Sequence, residues 1–351
     1  MTEGLWHAVS GDPPALRHLG HEAVLAAQAV AEAMRLARAV EHDVATGALT
    51  KADASPVTIA DFAVQALVGS RLARDAPHDP LVAEEDATEL RGAAEWRLRA
   101  RVVDFVRRME SRAGPDAVLD WIDRGGGTPG PRFWTLDPID GTKGLLRGGQ
   151  YAIALALVVN GVVEIGVLGC PRLSLREGAA SAMTGGVRGD GGIAIAVRGR
   201  GAWWMSPNDG SLAQLSVSAT TDPVCTRVTH SFEAAHSDVS RLDRVLSALG
   251  SETPPMLMDS QAKHVVLAAG GADLLLRFPS SPGIRELIWD QAAGSLVIEE
   301  AGGRVTDLAG RALDFSTGRR LLRNEGLVAS NGRLHDSVLA ALRDSKDEQM
   351  L

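Results

Sequence analysis

Residues 133–150 read FWTLDPIDGTKGLLRGGQ. Two carboxylates, Asp137 and Asp140, stand three positions apart with Pro138 between them, and Gly141 and Thr142 follow directly. Proline fixes its own φ and biases the residue before it towards an extended conformation. The apolar and aromatic run Phe133 to Leu136 therefore predicts a strand ending at Asp137, with Asp140 in the turn after it. Such a turn can aim both carboxylates and the Ile139 carbonyl at one point, and oxygen-only ligands suit a hard cation such as Mg²⁺. Gly141 permits close backbone approach. A helix opening near Thr142 would turn its free N–H groups to the same point and favour a phosphate there. Asp-Pro and Asp-Gly are also ordinary turn dipeptides, so the rest of the chain has to decide.

Immediately downstream, YAIALALVV and VVEIGVLGCP flank Asn160-Gly161. An Asn-Gly between two apolar runs predicts a hairpin of buried antiparallel strands. Residues 174–215 are loose and rich in glycine, with short strands expected at Ile193–Val197 and Gly201–Met205 and a plain turn at GDGG. The densest glycines place a subdomain boundary within 175–195, dividing the chain into 1–185 and 186–351. The second half alternates strands and helices: a helix from Asp238 to Leu249, one in QAKHVVLAAGGA closed by Gly270-Gly271, a strand in DLLLRFP, a helix after Asp290, and a closing helix over 334–343. Alternation of this kind marks an α/β layer architecture.

Upstream, residues 21–45 carry apolar side chains at three- and four-residue steps and read as an amphipathic packing helix. Thr58 and Asp61 fit a capping box opening a helix from about Ile59 to Arg74. Asp61 then either caps its own helix or, beside a metal site, accepts a proton from a bound water. Leu81 to Ala83 is a short strand candidate ended by Glu84, Glu85 and Asp86. Three acids in a row mark a solvated surface, or else the first is a cation ligand. Residues 95–112 have helical spacing, and RGGGTPGP at 124–131 is a loop. Asp290 could simply cap the helix that follows it.

The bulk properties set limits. At 351 residues the chain can form one large domain or two moderate ones, and 45% hydrophobic with 23% charged residues is the range of a soluble globular protein. A net charge of −8 without blocks of like charge argues against a nucleic-acid surface. No apolar run is long enough to span a membrane and the first residues lack a signal-peptide pattern, so the expected compartment is the cytoplasm. Cys170 and Cys225 form neither a metal spacing nor a disulfide scaffold.

Four segments taken together, DASPVTIAD (53–61), VAEED (82–86), DPIDGTKGLLRGGQ (137–150) and IWDQAAG (288–294), resemble the signatures of the Mg²⁺-dependent, lithium-sensitive inositol-monophosphatase superfamily. The stretch from DGTKGLLRGGQ to CPRL and the segment MDSQAKHVVLAAGGADLLLRFP resemble its 3′(2′),5′-bisphosphate nucleotidase branch. The resemblance runs from about Ser55 to Ser330. It implies a layered α-β-α-β-α sandwich with two subdomains, the first carrying most metal ligands, and two or three Mg²⁺ ions. Glu84, Asp137, Asp140, Asp290 and the Ile139 carbonyl would be the metal ligands. Asp61 and Thr142 would orient and activate the attacking water. Gly141 and Thr142 would hold the scissile phosphate, and His236, Ser260, Lys263 and Arg277 the nucleotide and its second phosphate.

The physics agrees, because gathering so many carboxylates is prohibitive without cations. Thr142 can bond the water's proton only if its own hydroxyl proton points elsewhere, and Asp61 is the expected acceptor. Asp86 after Glu85, the glycine-rich 174–205, and Tyr151 as the single tyrosine depart from the branch's pattern and bear on substrate choice. The expected reaction is removal of the 3′-phosphate from adenosine 3′,5′-bisphosphate (PAP), with the sulfated relative PAPS as a second substrate, in support of sulfur assimilation. An inositol or inositol-polyphosphate phosphatase of the same fold and a non-catalytic nucleotide sensor are the alternatives. The expected assembly is a monomer or weak homodimer.

Overall fold

The computed structural model describes residues 14–46, 56–175, 189–206, 210–232, 239–279, 281 and 283–347. The apolar stripe of residues 21–45 forms α1 (His21–Ala45), which buries Ala26, Val30, Met34, Ala37 and Val40 along one side. α2 (Pro56–Asp75) begins earlier than the capping-box reading has it, with proline in the first turn, where its missing N–H is harmless. Thr58 and Asp61 thus lie inside the helix and do not cap it. β1 (Leu81–Ala83) follows, then the helices α3 (Thr88–Arg91), α4 (Trp96–Met109) and α5 (Pro115–Asp123).

β2 (Arg132–Asp140) is longer than expected. It continues past Asp137, and Asp140 is its last residue, paired with Ala152, and not a turn residue. The ladder is irregular between Asp137 and Asp140, as it must be around a proline that has no N–H to donate. α6 (Thr142–Arg147) opens directly afterwards. β3 (Ala152–Val159) and β4 (Val162–Cys170) form the hairpin, with Asn160 at φ 51° and Gly161 at φ 77°, the left-handed pair this tight turn requires. β5 (Gly192–Val197), β6 (Ala202–Met205) and β7 (Leu212–Gln214) extend the sheet in order. Its seven strands run β1 to β7, antiparallel except for the parallel β1–β2 pair. The expected division at 185/186 lies outside the described residues, in the connection between β4 and β5.

The remaining chain supplies β8 (Val228–His230), α7 (Val239–Leu249), β9 (Met256–Leu257), α8 (Ala262–Ala268), β10 (Leu274–Arg277), α9 (Ala292–Glu300), β11 (Arg304–Thr306), β12 (Leu327–Ser330) and α10 (His335–Asp347). Five of these strands make a second sheet in the order β11-β12-β10-β8-β9. α1 and α2 cover one face of the first sheet. α8 and α9 fill the space between the sheets, burying Val265, Leu296 and Val297 among residues of both. α7 and α10 cover the far face of the second. The five layers are therefore α-β-α-β-α. No helix among the described residues is long and apolar enough to cross a membrane.

Candidate active site

A cavity of about 320 Å³ opens where the first sheet, α6, α8, β10 and the residues before α9 meet. Strand register builds its acidic wall. In the parallel pair, Ala83 stands beside Leu136, so Glu84 leaves the end of β1 next to Asp137, which is still within β2. Asp140 closes β2, and Asp290 lies one residue before Gln291, the N-cap of α9. Glu84, Asp137, Ile139, Asp140, Gly141, Thr142, Ser260, Lys263, Arg277 and Asp290 all line the cavity. Asp61 does not. It is buried behind the wall, with Glu85 and Glu84 as its nearest like charges. His236 lies outside the described residues.

The electrostatics follow from crowding and burial. Burial first, and then the charges of Asp140, Glu84, Asp290 and Asp61, push the Asp137 carboxyl well above the usual range. Burial first, and then the charge of Asp140, raise the Glu84 carboxyl, and the neighbouring Asp137 carboxyl offsets part of the rise. Asp290 is pushed up to about 8 by burial, against the pull of the Arg277 guanidinium. Glu85 rises to about 7 through burial and the adjacent Glu84.

Basic groups of the chain answer this wall. Arg277 lies 3.6 Å from Asp290 and 3.0 Å from Glu286. Lys263, buried on the cavity side of α8, donates to the Met258 carbonyl at 3.2 Å, and burial lowers its ammonium to about 8. His264 beside it is driven down to about 3 by burial and by Lys263 and Arg277, so the ring is neutral.

Hydrogen bonds to neutral groups fix the rest. The Thr142 hydroxyl donates to the Ile139 carbonyl at 3.3 Å, where Asp61 was the expected acceptor. The Gln261 amide donates to Asp140 at 2.5 Å, and its side chain donates to the Trp289 carbonyl at 3.0 Å, one residue from Asp290. Gln65, one helical turn after Asp61, accepts from the Glu85 N–H at 3.0 Å and donates to the Glu85 carbonyl at 2.5 Å. Gln65, Gln261 and Glu286 escape sequence reasoning. Only the i,i+4 spacing of Gln65 from Asp61 hinted at a shared face.

As placed, no three His, Cys, Asp or Glu side chains among the described residues close on one point tightly enough to hold an ion. The acids are engaged with one another, with Arg277 and with the Gln261 amide. The donor set nonetheless fits a hard cation. It is all oxygen, Asp137 Oδ1 is buried without a hydrogen-bond partner among the described residues, and the burial and mutual repulsion that raise these carboxyls are what a divalent ion relieves.

The sequence profile described as the inositol monophosphatase family matches residues 17–347. A rice (Oryza sativa) protein named 3′(2′),5′-bisphosphate nucleotidase is 43% identical over 343 residues, covering 93% of this chain and 95% of its own. One of the same name from Emericella nidulans is 39% identical over 342 residues, covering 92% and 97%. Among solved structures, CysQ from Bacteroides thetaiotaomicron superposes with a TM-score of 0.60 at 20% identity, over 89% of this chain and 97% of that one. Mycobacterium tuberculosis SuhB gives 0.58 at 21%, over 92% and 95%. At such identities the structures speak for the fold alone.

Proposed function

The chain belongs to the inositol monophosphatase family, and we propose that it is a 3′(2′),5′-bisphosphate nucleotidase, removing the 3′-phosphate of PAP to give AMP and phosphate. The observation that carries the reading is one cavity lined both by the acids Glu84, Asp137, Asp140 and Asp290 and by the cations Lys263 and Arg277. A substrate with a single phosphate does not call for both.

Glu84, Asp137, Asp140, Asp290 and the Ile139 carbonyl would hold Mg²⁺. The bound ions supply Lewis acidity, lowering the pKa of a water and screening the phosphate's charge. The chain's own groups do the remainder. Gly141 and Thr142 hold the scissile phosphate at the start of α6. Thr142 sends its proton to Ile139, which leaves its lone pairs free to receive a hydrogen from the attacking water. Asp61, which does not line the cavity, would act on that water only through Glu84 and Glu85, the acids beside it. The water oxygen bonds to phosphorus as the P–O3′ bond breaks, and a proton ends on the 3′-oxygen of AMP. Ser260, Lys263 and Arg277 bind the second phosphate. Phe232, 51% exposed and next to cavity-lining Ser231, has the Arg147 guanidinium 5.4 Å from its ring centroid and offers its flat face to the purine.

PAPS shares the recognised groups and is a second substrate of this reading, and removal of such products would serve sulfur assimilation in the cytoplasm. Lithium should inhibit by competing for one cation position. Phosphate release from PAP and from inositol monophosphate, each with Mg²⁺, tests the proposal. A preference for inositol monophosphate would make the protein an inositol phosphatase, and no turnover on any phosphate ester would leave a nucleotide sensor.

A further inference from the structure

Arg319 belongs to no signature and lies in the connection between β11 and β12, yet it reaches two of the four carboxylate-bearing segments at once. Its guanidinium donates to the Ala83 carbonyl, one residue before Glu84, and to the Gly125 carbonyl at 3.3 Å. Gly125 in turn accepts from the Ala83 N–H at 2.8 Å, so the end of β1 is gripped from two directions. The same guanidinium lies 4.7 Å from the centroid of the buried Trp289 ring, one residue before Asp290. The backbone repeats the link. Ile288 donates its N–H to the Arg319 carbonyl at 3.1 Å, Leu321 donates to the Glu286 carbonyl at 3.0 Å, and Leu287 pairs with Arg320.

Glu84 and Asp290 come from different sheets' surroundings and from segments about two hundred residues apart. β1 has only three residues and Asp290 precedes the N-cap of α9, so neither carboxylate lies inside a regular element. A planar, delocalised cation suits the task of joining them, since it can donate in a fork to carbonyls and stack on an indole with the same group. Lysine can do the first only as a point charge and lacks the stacking plane.

We propose that Arg319 is a positioning residue for the metal site, setting the separation of Glu84 and Asp290 by bracing the residue before each. The inference rests on the metal-dependent reading of the cavity. It gives Arg319 no contact with substrate and no part in the chemistry.

The test is isothermal titration of Mg²⁺ alone into the purified full chain, as wild type, Arg319→Lys and Arg319→Gln, with thermal melts recorded without Mg²⁺. Substituting groups that orient metal ligands typically weakens binding about 10- to 100-fold, and a loss of at least about tenfold is expected in both variants. Activity of Arg319→Lys should return towards the wild-type kcat at saturating Mg²⁺, because the ligands themselves are intact. Unchanged Mg²⁺ affinity in folded variants, whether or not the melting temperature falls, would overturn the proposal, as would failure of both variants to fold. Absence of Mg²⁺ binding by the wild type would instead overturn the metal reading beneath it.

Discussion

Gly141 lies so close to Ser260 that a Cβ on the glycine would stand 2.8 Å from the serine Cβ. Both residues have left-handed backbone, φ 87° and 67°, and both line the cavity. The loop proposed to hold the scissile phosphate is thus pressed against the start of the segment proposed to hold the second one. Gly141→Ala adds a left-handed penalty of about 1–2 kcal/mol to the clash. A displacement of about 1 Å in such a loop is worth roughly 100-fold in rate, so kcat/KM should fall by about that factor while circular dichroism stays native. Wild-type kinetics in this variant would show that the contact does not set the site.

Gln65→Leu keeps the side chain's bulk but leaves the Glu85 N–H without its acceptor. An unsatisfied buried donor costs about 1–3 kcal/mol, and urea unfolding should register a loss in that range. Since Glu85 is adjacent to Glu84, the half-saturating Mg²⁺ concentration should rise as well. Unchanged stability would mean that Glu85 finds another partner or does not need one.

His335 tests the protonation logic away from the cavity. Thr306 donates its hydroxyl proton to the Asp307 carbonyl and so accepts from His335 Nε2 at 2.9 Å. In the neutral ring with its proton on Nε2, Nδ1 accepts from the Ser330 hydroxyl at 2.8 Å. Both ring positions are therefore filled by the neutral tautomer. Burial, then Arg304, lowers the imidazole from its ordinary value to about 4. Between about 6.5 and 4 the unfolded chain binds the extra proton, so this contribution is complete above 6.5 and shrinks as pH falls through the window. The difference in unfolding free energy between wild type and His335→Asn should narrow across that interval. A constant difference would contradict the neutral assignment.

Phe232→Ala separates a nucleotide substrate from a sugar phosphate. Base–aromatic stacking is worth about 1–3 kcal/mol, which predicts a KM for PAP raised at least about fivefold at little change in kcat. An equal effect on a phosphomonoester without a base would remove Phe232 from substrate recognition.

What could be read from sequence was what local rules determine. The stripe of residues 21–45 gives α1 at its observed limits, and Asn160-Gly161 gives the β3–β4 hairpin. The carboxylates were conspicuous because the cost of crowding charge demands an explanation. β2 was read too short because Pro138 signals a turn locally, whereas pairing with β3 carries the strand to Asp140 across an irregularity. The ties that position the acids were hidden for a different reason. Gln65, Gln261 and Arg319 are unremarkable in sequence and gain their meaning from partners between 20 and 236 residues away.

The central claim is that Glu84, Asp137, Asp140 and Asp290 serve a metal-dependent phosphatase. Phosphate release from PAP by the wild type and by Asp137→Asn, each in chelator and then with Mg²⁺ restored, tests it most directly. Wild-type turnover should vanish in chelator and return with Mg²⁺, while the folded Asp137→Asn variant stays inactive in both. Turnover that persists in chelator, or in Asp137→Asn, would contradict the account.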